Sequence, residues 1–78
     1  MTTYPATILD IEGHTITTLD LTRGEYATLC VRASWEMGRY VIRARDFMNR
    51  AHLEDMNRLG VLPAHQVTVR LSKRGASP

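Results

Sequence analysis

This 78-residue chain has one cysteine, three prolines, one tryptophan and one phenylalanine, and its five glycines each stand alone. Each scarcity excludes something. A lone Cys30 cannot form an internal disulfide, so no disulfide framework compensates for the small core of so short a chain. The isolated glycines Gly13, Gly24, Gly38, Gly60 and Gly75 form no phosphate-cradling loop. His14, His52 and His65 are scattered and, with one cysteine, give no zinc-type ligand spacing, so neither a metal nor a cofactor is expected. No serine stands with histidine and aspartate in a nucleophile context. Adjacent Glu54 and Asp55 point about 100° apart on a helix and read as a solvated face, not an acid–base pair. No catalytic residue is assigned, and a non-enzymatic protein is expected. The apolar runs are a few residues long, far short of a membrane span, and no apolar leader follows Met1. No membrane partner and a cytoplasmic location are therefore expected.

What is present is the composition of a folded domain: 44% hydrophobic and 23% charged residues. Charge is unevenly spread. Residues 1–25 hold four acids against Arg23 alone, whereas residues 26–78 hold nine Lys/Arg against four acids. The second part of the chain can therefore build a basic face.

The stretch "YPATILDIEGHTITTLDL" holds two β-rich runs either side of Glu12-Gly13. A hairpin with those two loop residues sets Ile11 opposite His14 and Leu9 opposite Ile16. In "LTRGEY", Thr22 and Glu25 have capping-box spacing, with Leu21 and Tyr26 as the apolar staple across it. The segment from Ala27 to Arg45 then admits two readings. In twos it is a hairpin turning at Met37-Gly38. In threes and fours it is an amphipathic helix with polar residues at Thr28, Arg32, Glu36, Arg39, Arg43, Asp46 and Arg50. The helix accounts for the longer window, including Tyr26, Leu29, Cys30, Ala33, Met37, Tyr40, Val41, Ala44, Phe47, Met48 and Ala51 as its core stripe. The helix is therefore the expectation, with Gly38 as the residue that opposes it.

A break near Asn49–His52 leads to a short second helix that ends at Gly60, with Val61 returning to Met56 and Pro63 forbidding continuation. "HQVTVRLS" alternates as a strand. The expected fold is α+β: an N-terminal β-hairpin, a long amphipathic helix, a short second helix and a C-terminal strand. This ββααβ order gives a three-stranded antiparallel sheet packed on helix. Residues 1–72 form one domain and 73–78 a flexible tail.

Two surfaces remain as functional candidates. Val31, Trp35 and Ile42, spaced 4 and 7, form a second apolar stripe on the expected helix. Either the second helix covers it with Leu53 and Met56, or it is exposed, with Trp35 as anchor and Arg39 beside it in a partner-binding or homodimer surface. The other candidate is the arginine wedge of Arg32, Arg39, Arg43 and Arg50, extended by Arg70, Lys73 and Arg74, which would contact nucleic-acid phosphates. Glu36 and Asp46 partly neutralise the wedge, and it has no aromatic stacking platform.

In size, single-domain layout and lack of a catalytic site, the chain is similar to small proteins encoded by phages and mobile elements, among them the anti-CRISPR inhibitors. The segment "RARDFMNRAHLEDMNRLG", less than a quarter of the chain, resembles an Ala-Arg-Asp-Phe leading into a Leu-Glu-bearing helix in one such inhibitor family. Two helices close the chain in that family, whereas "HQVTVRLS" here reads as a strand, so no functional residue is carried over. The resemblance implies a mode of action: blocking a protein or ribonucleoprotein complex through an exposed surface; the chain itself is expected to be a monomer or homodimer.

Overall fold

A computed structural model describes residues 2–71; the expected tail at 73–78, with Lys73 and Arg74, lies outside the described residues. Among the described residues there are five strands and two α-helices: β1 (Tyr4–Leu9), β2 (Thr15–Leu21), α1 (Arg23–Arg32), β3 (Ser34–Glu36), β4 (Arg39–Arg43), α2 (Arg50–Arg58) and β5 (Gln66–Leu71). A single 3-10 turn at Ala44–Asp46 links β4 to α2. The strands form one antiparallel sheet in the order β2-β1-β5-β4-β3. The α+β class holds. The three-stranded sheet and the ββααβ order do not, because the long helix expected from Tyr26 to Ala51 stops at Arg32 and gives way to a second hairpin.

The upstream hairpin keeps its expected register along Tyr4–Ile8, with Ile8 facing Thr17. It slips by one at Leu9, which faces Thr15 and leaves Ile16 as the extra residue of a bulge. The reason lies in the loop. Asp10 Oδ1 accepts the backbone N–H groups of Glu12 and His14, both at 2.9 Å, and the Asp10 N–H reaches His14 O. This side-chain-braced loop spans Asp10 to His14, and so replaces the two-residue turn expected at Glu12-Gly13. Gly13, at φ +94°, supplies the left-handed conformation it needs.

Helix α1 begins at the capping box read from the sequence. Glu25 N–H donates to Thr22 Oγ1 (3.2 Å) and Thr22 N–H to Glu25 Oε1 (2.9 Å). Ala33 closes the helix in an extended conformation, and the chain runs straight into β3. The next ten residues obey period two. Trp35 faces Tyr40, Ser34 faces Val41, and Met37-Gly38 turns with both φ angles positive, 51° and 80°, as a primed hairpin turn requires. Helix would have to include Gly38 at a cost of about 1 kcal/mol. As a strand, the β-branched and aromatic residues of β4 pair with β5 instead, Tyr40 with Val69 and Ile42 with Val67.

Helix α2 is read correctly. Asn49 caps its start through the His52 N–H, and a Schellman closure ends it, with Val61 N–H on Met56 O, Gly60 N–H on Asn57 O and Gly60 at φ +89°. Both helices lie on one face of the sheet. There Leu29 and Met56 join Ala6, Ile8, Leu21, Ile42, Ala44, Phe47, Met48, Val67 and Val69 in one core. Several residues of the expected helical stripe are corrected by this arrangement: Cys30, Met37 and Ala51 are exposed.

One buried acid joins the two helix starts. Glu25, 4% exposed, accepts from Thr22 N–H through Oε1. Through Oε2 it accepts from Asn49 N–H (2.8 Å) and from His52 Nδ1 (2.7 Å). Burial by itself pushes the Glu25 pKa up. The N–H groups of Thr22 and Asn49, with the His52 ring, outweigh it and hold the carboxyl below its ordinary 4.5. Stability from a lowered folded pKa is present above the unfolded value and is lost as pH falls through the folded one. Glu25→Gln turns an acceptor into a donor facing Asn49 N–H, and is expected to cost about 2 kcal/mol at neutral pH. Urea unfolding at neutral pH and again well below the glutamate range measures both effects: the deficit of Glu25→Gln should shrink in acid, where wild type has also lost the carboxylate.

Candidate functional site

The structure disperses the arginine wedge. Arg32 lies in the last turn of α1 and Arg50 at the start of α2, while Arg39 and Arg43 are on β4. Strand alternation sets Arg39 and Arg43 on the sheet face away from the helices, with Val41, and Thr68 and Arg70 of β5 share that face. Arg43 Nε is committed to Asp46 at 3.0 Å, and Arg39 stands opposite Glu36 in the backbone register of the hairpin. The Arg39 guanidinium also reaches the Asp10–His14 loop, so close that a Cβ on Gly13 would lie 3.3 Å from its Nη1. The partial neutralisation expected from Asp46 is therefore realised for Arg43, while Glu36 is set opposite Arg39 by strand register, on a sheet and not on a helix.

The apolar stripe is also divided. Ile42 faces the helices and is 5% exposed, so it belongs to the core and not to a partner surface. Helix α1 packs against β4, and Ile42 shares one core cluster with Leu29 of α1 and Met56 of α2. Arg39 does not sit beside Trp35 on a helix; alternation turns the two side chains to opposite faces of the hairpin. Val31 and Trp35 do remain open, at 83% and 63% exposed, and Met37 joins them at 94%. Pattern reading assigned Met37 to the core because the helical period placed it there. A Met-Gly pair in a primed turn was the signal for its exposure.

The surface between Val31 and Met37 borders an aromatic cluster. Trp35 and Tyr40 meet edge-to-face, with ring centroids 4.8 Å apart and planes at 69°, and Tyr4 stacks on Tyr26 at 4.1 Å. The Cys30 thiol stands between the two pairs. Hydrogen bonding with Cys30, then its charge, raises the Tyr26 pKa; burial, then the charge of Cys30, raises that of Tyr40. A shallow groove of Trp35, Gly38, Tyr40, Val69 and Leu71 runs along the same end of the sheet. Thus an exposed tryptophan packed on Tyr40 sits on the edge strand, with exposed Val31 four residues before it and exposed Met37 two residues after it, apolar groups suited to burial against an apolar surface.

A separate group has metal-ligand chemistry. Asp10, Glu12 and His14 bring their donor atoms within 4.8 Å of one another on the β1–β2 loop. Spacing of two and four within a loop carries no ligand signature, so this group is not legible in the sequence, where His14 has no zinc-type spacing. Glu12 and His14 are exposed and Asp10 is half-buried, and Asp10 Oδ1 is already engaged by two N–H groups. With the Arg39 guanidinium next to Gly13, the group serves as the brace of the loop. The Glu25–His52 pair is likewise structural, all its acceptor contacts being used to join α1 and α2.

Met37 adopts φ 51° with a side chain that gains little from it, at a cost of about 1 kcal/mol. Met37→Asn, which suits the first position of this turn, is expected to raise unfolding free energy by about 0.5–1 kcal/mol in urea titration. The same change removes the most exposed apolar side chain of the hairpin.

No protein-family model, curated protein or solved structure matches the chain, so its candidate site rests on this geometry and chemistry.

Proposed function

We propose that the protein is a non-enzymatic binding module that engages a protein or ribonucleoprotein partner through Val31, Trp35 and Met37. The exposure of Trp35 at the sheet edge carries this reading. A tryptophan needed by the core would be covered, whereas this one is paired to Tyr40 on one side and open on the other. No helix among the described residues is long and apolar enough to cross a membrane. Occupying a partner's surface needs no catalytic group and suits an inhibitor of a host defence or regulatory complex, the mode of action implied by the similarity to anti-CRISPR proteins.

A second reading has its own observation: Arg39, Arg43 and Arg70 share the helix-free sheet face, where a phosphate backbone could lie. Glu36, Asp46 and the acidic β1–β2 loop weaken it.

Trp35→Ala is expected to cost about 1 kcal/mol of fold stability, the scale of one edge-to-face pair, and not the 3–5 kcal/mol of a core tryptophan. It is also expected to abolish capture of a nuclease-resistant partner from host lysate. Trp35 emission should be red-shifted and readily quenched in the free protein and protected in the complex. Blue-shifted, unquenchable emission from the free chain would exclude the anchor role.

For the second reading, duplex DNA or RNA should bind at low salt and lose affinity steeply between ~50 and ~200 mM as counterions are released. Arg39→Ala with Arg43→Ala should flatten that slope. No detectable binding at low salt excludes it.

A further inference from the structure

The two edges of the sheet are built differently. At one edge β3 is three residues long and ends in Glu36, a short and charged strand of the kind that resists further pairing. At the other edge β2 is seven residues long, Thr15-Ile-Thr-Thr-Leu-Asp-Leu21, with no lysine, arginine or proline and a single charge at Asp20. Its bulge at Ile16 disturbs only the beginning. Thr17–Leu21 runs in regular register with β1 on one side and has no strand on the other among the described residues. Half of its backbone N–H and C=O groups therefore point outward, unpaired by any strand.

We propose that this edge pairs antiparallel with β2 of a second copy of the chain, giving a twofold dimer with one continuous ten-stranded sheet. Residues that face each other across antiparallel strands share a sheet face, so the twofold axis must pass at the level of a residue. Full overlap of the regular segment places it at Leu19. Leu19 then faces Leu19, Thr17 faces Leu21, and Thr18 faces Asp20, whose carboxylate can accept the threonine hydroxyl. Leu19, half-buried in one chain, gains its copy as a neighbour on the helix-bearing side. The neighbouring registers are worse. Centring on Asp20 sets two carboxylates face to face, and like charges directly opposite are destabilising. Centring on Thr18 sets Asp20 against the bulged Ile16. The register of greatest overlap is thus also the one that the charges allow.

Five paired residues per chain bury less than the ~800 Å² per partner of a standard interface, so association is weak. The dimer would carry its two β3 edges at opposite ends, nine strand spacings or about 43 Å apart. Two Trp35 surfaces at that separation can engage a repeated or twofold partner together. The dimer stands on β2 alone and does not rest on the role proposed for Trp35.

Sedimentation velocity of the full chain tests it over roughly 10 µM to 1 mM, a range in which a weak dimer follows mass action. The weight-average mass should climb from 8.8 kDa toward twice that value. Thr18 is exposed, so its substitution leaves the fold intact, which circular dichroism verifies. Thr18→Lys sets a cation against Asp20 of the second copy at two symmetric places and should tighten the dimer about fivefold; Thr18→Asp should weaken it by a similar factor. Combining Thr18→Asp with Asp20→Lys should restore it. A chain that stays monomeric throughout overturns the proposal, and so does a shift of the same sign from Thr18→Lys and Thr18→Asp.

Discussion

The arrangement of both helices depends on the Glu25 carboxylate. Its Oε1 completes the start of α1 by accepting Thr22 N–H, and its Oε2 takes Asn49 N–H and the His52 ring at the start of α2. Burying a carboxylate is costly unless hydrogen bonds replace water, and here three donors do so. Two helices of only ten and nine residues are too short to persist alone in water. Joined at their first turns and laid on one sheet face, they deliver Leu29 and Met56 to the same core.

With both helices on one side, the remaining surface consists of a helix-free sheet face, two sheet edges and the β3–β4 hairpin. These differ in chemistry. The open face carries Arg43, paired with Asp46, and Arg39, which stands opposite Glu36 in register and lies against the β1–β2 loop. The hairpin carries Trp35, packed on Tyr40 and still largely exposed, and Met37, held exposed in a backbone conformation that its side chain disfavours. A turn that departs from the residue its geometry prefers is where a contact outside the fold is expected. The apolar groups and the hydrogen-bonding β2 edge lie at opposite ends of the sheet, so one chain can use both at once.

Much of the fold is legible in the sequence because its signals are local. The Thr22–Glu25 capping box, the register of β1 with β2 up to Ile8, the Gly60–Val61 closure of α2 and the alternation of β5 each depend on a few adjacent residues, and each holds. Of the candidate partner surface, the sequence leaves cover or exposure open; Val31 and Trp35 are exposed in the fold, while Ile42 is buried and Arg39 lies on the face opposite Trp35. All of these were placed on one helix, and only the residues up to Arg32 belong to it.

That failure has a definite cause. Arg32, Glu36, Arg39 and Arg43 repeat at about four residues, and a step of four is both an even number and roughly one helical turn, so it returns to the same side of a strand as well as of a helix. Composition, capping and turn chemistry therefore determined an α+β domain with a helix beginning at Thr22, but could not say where that helix stops. The tertiary structure decided it. Strand β5 is apolar at Val67, Val69 and Leu71 and has two edges to satisfy: β1 takes one, and the hydrogen bonds of the other require an extended β4. Once β4 is a strand, Gly38 becomes a turn, Ile42 enters the core, and Trp35 is left at the rim.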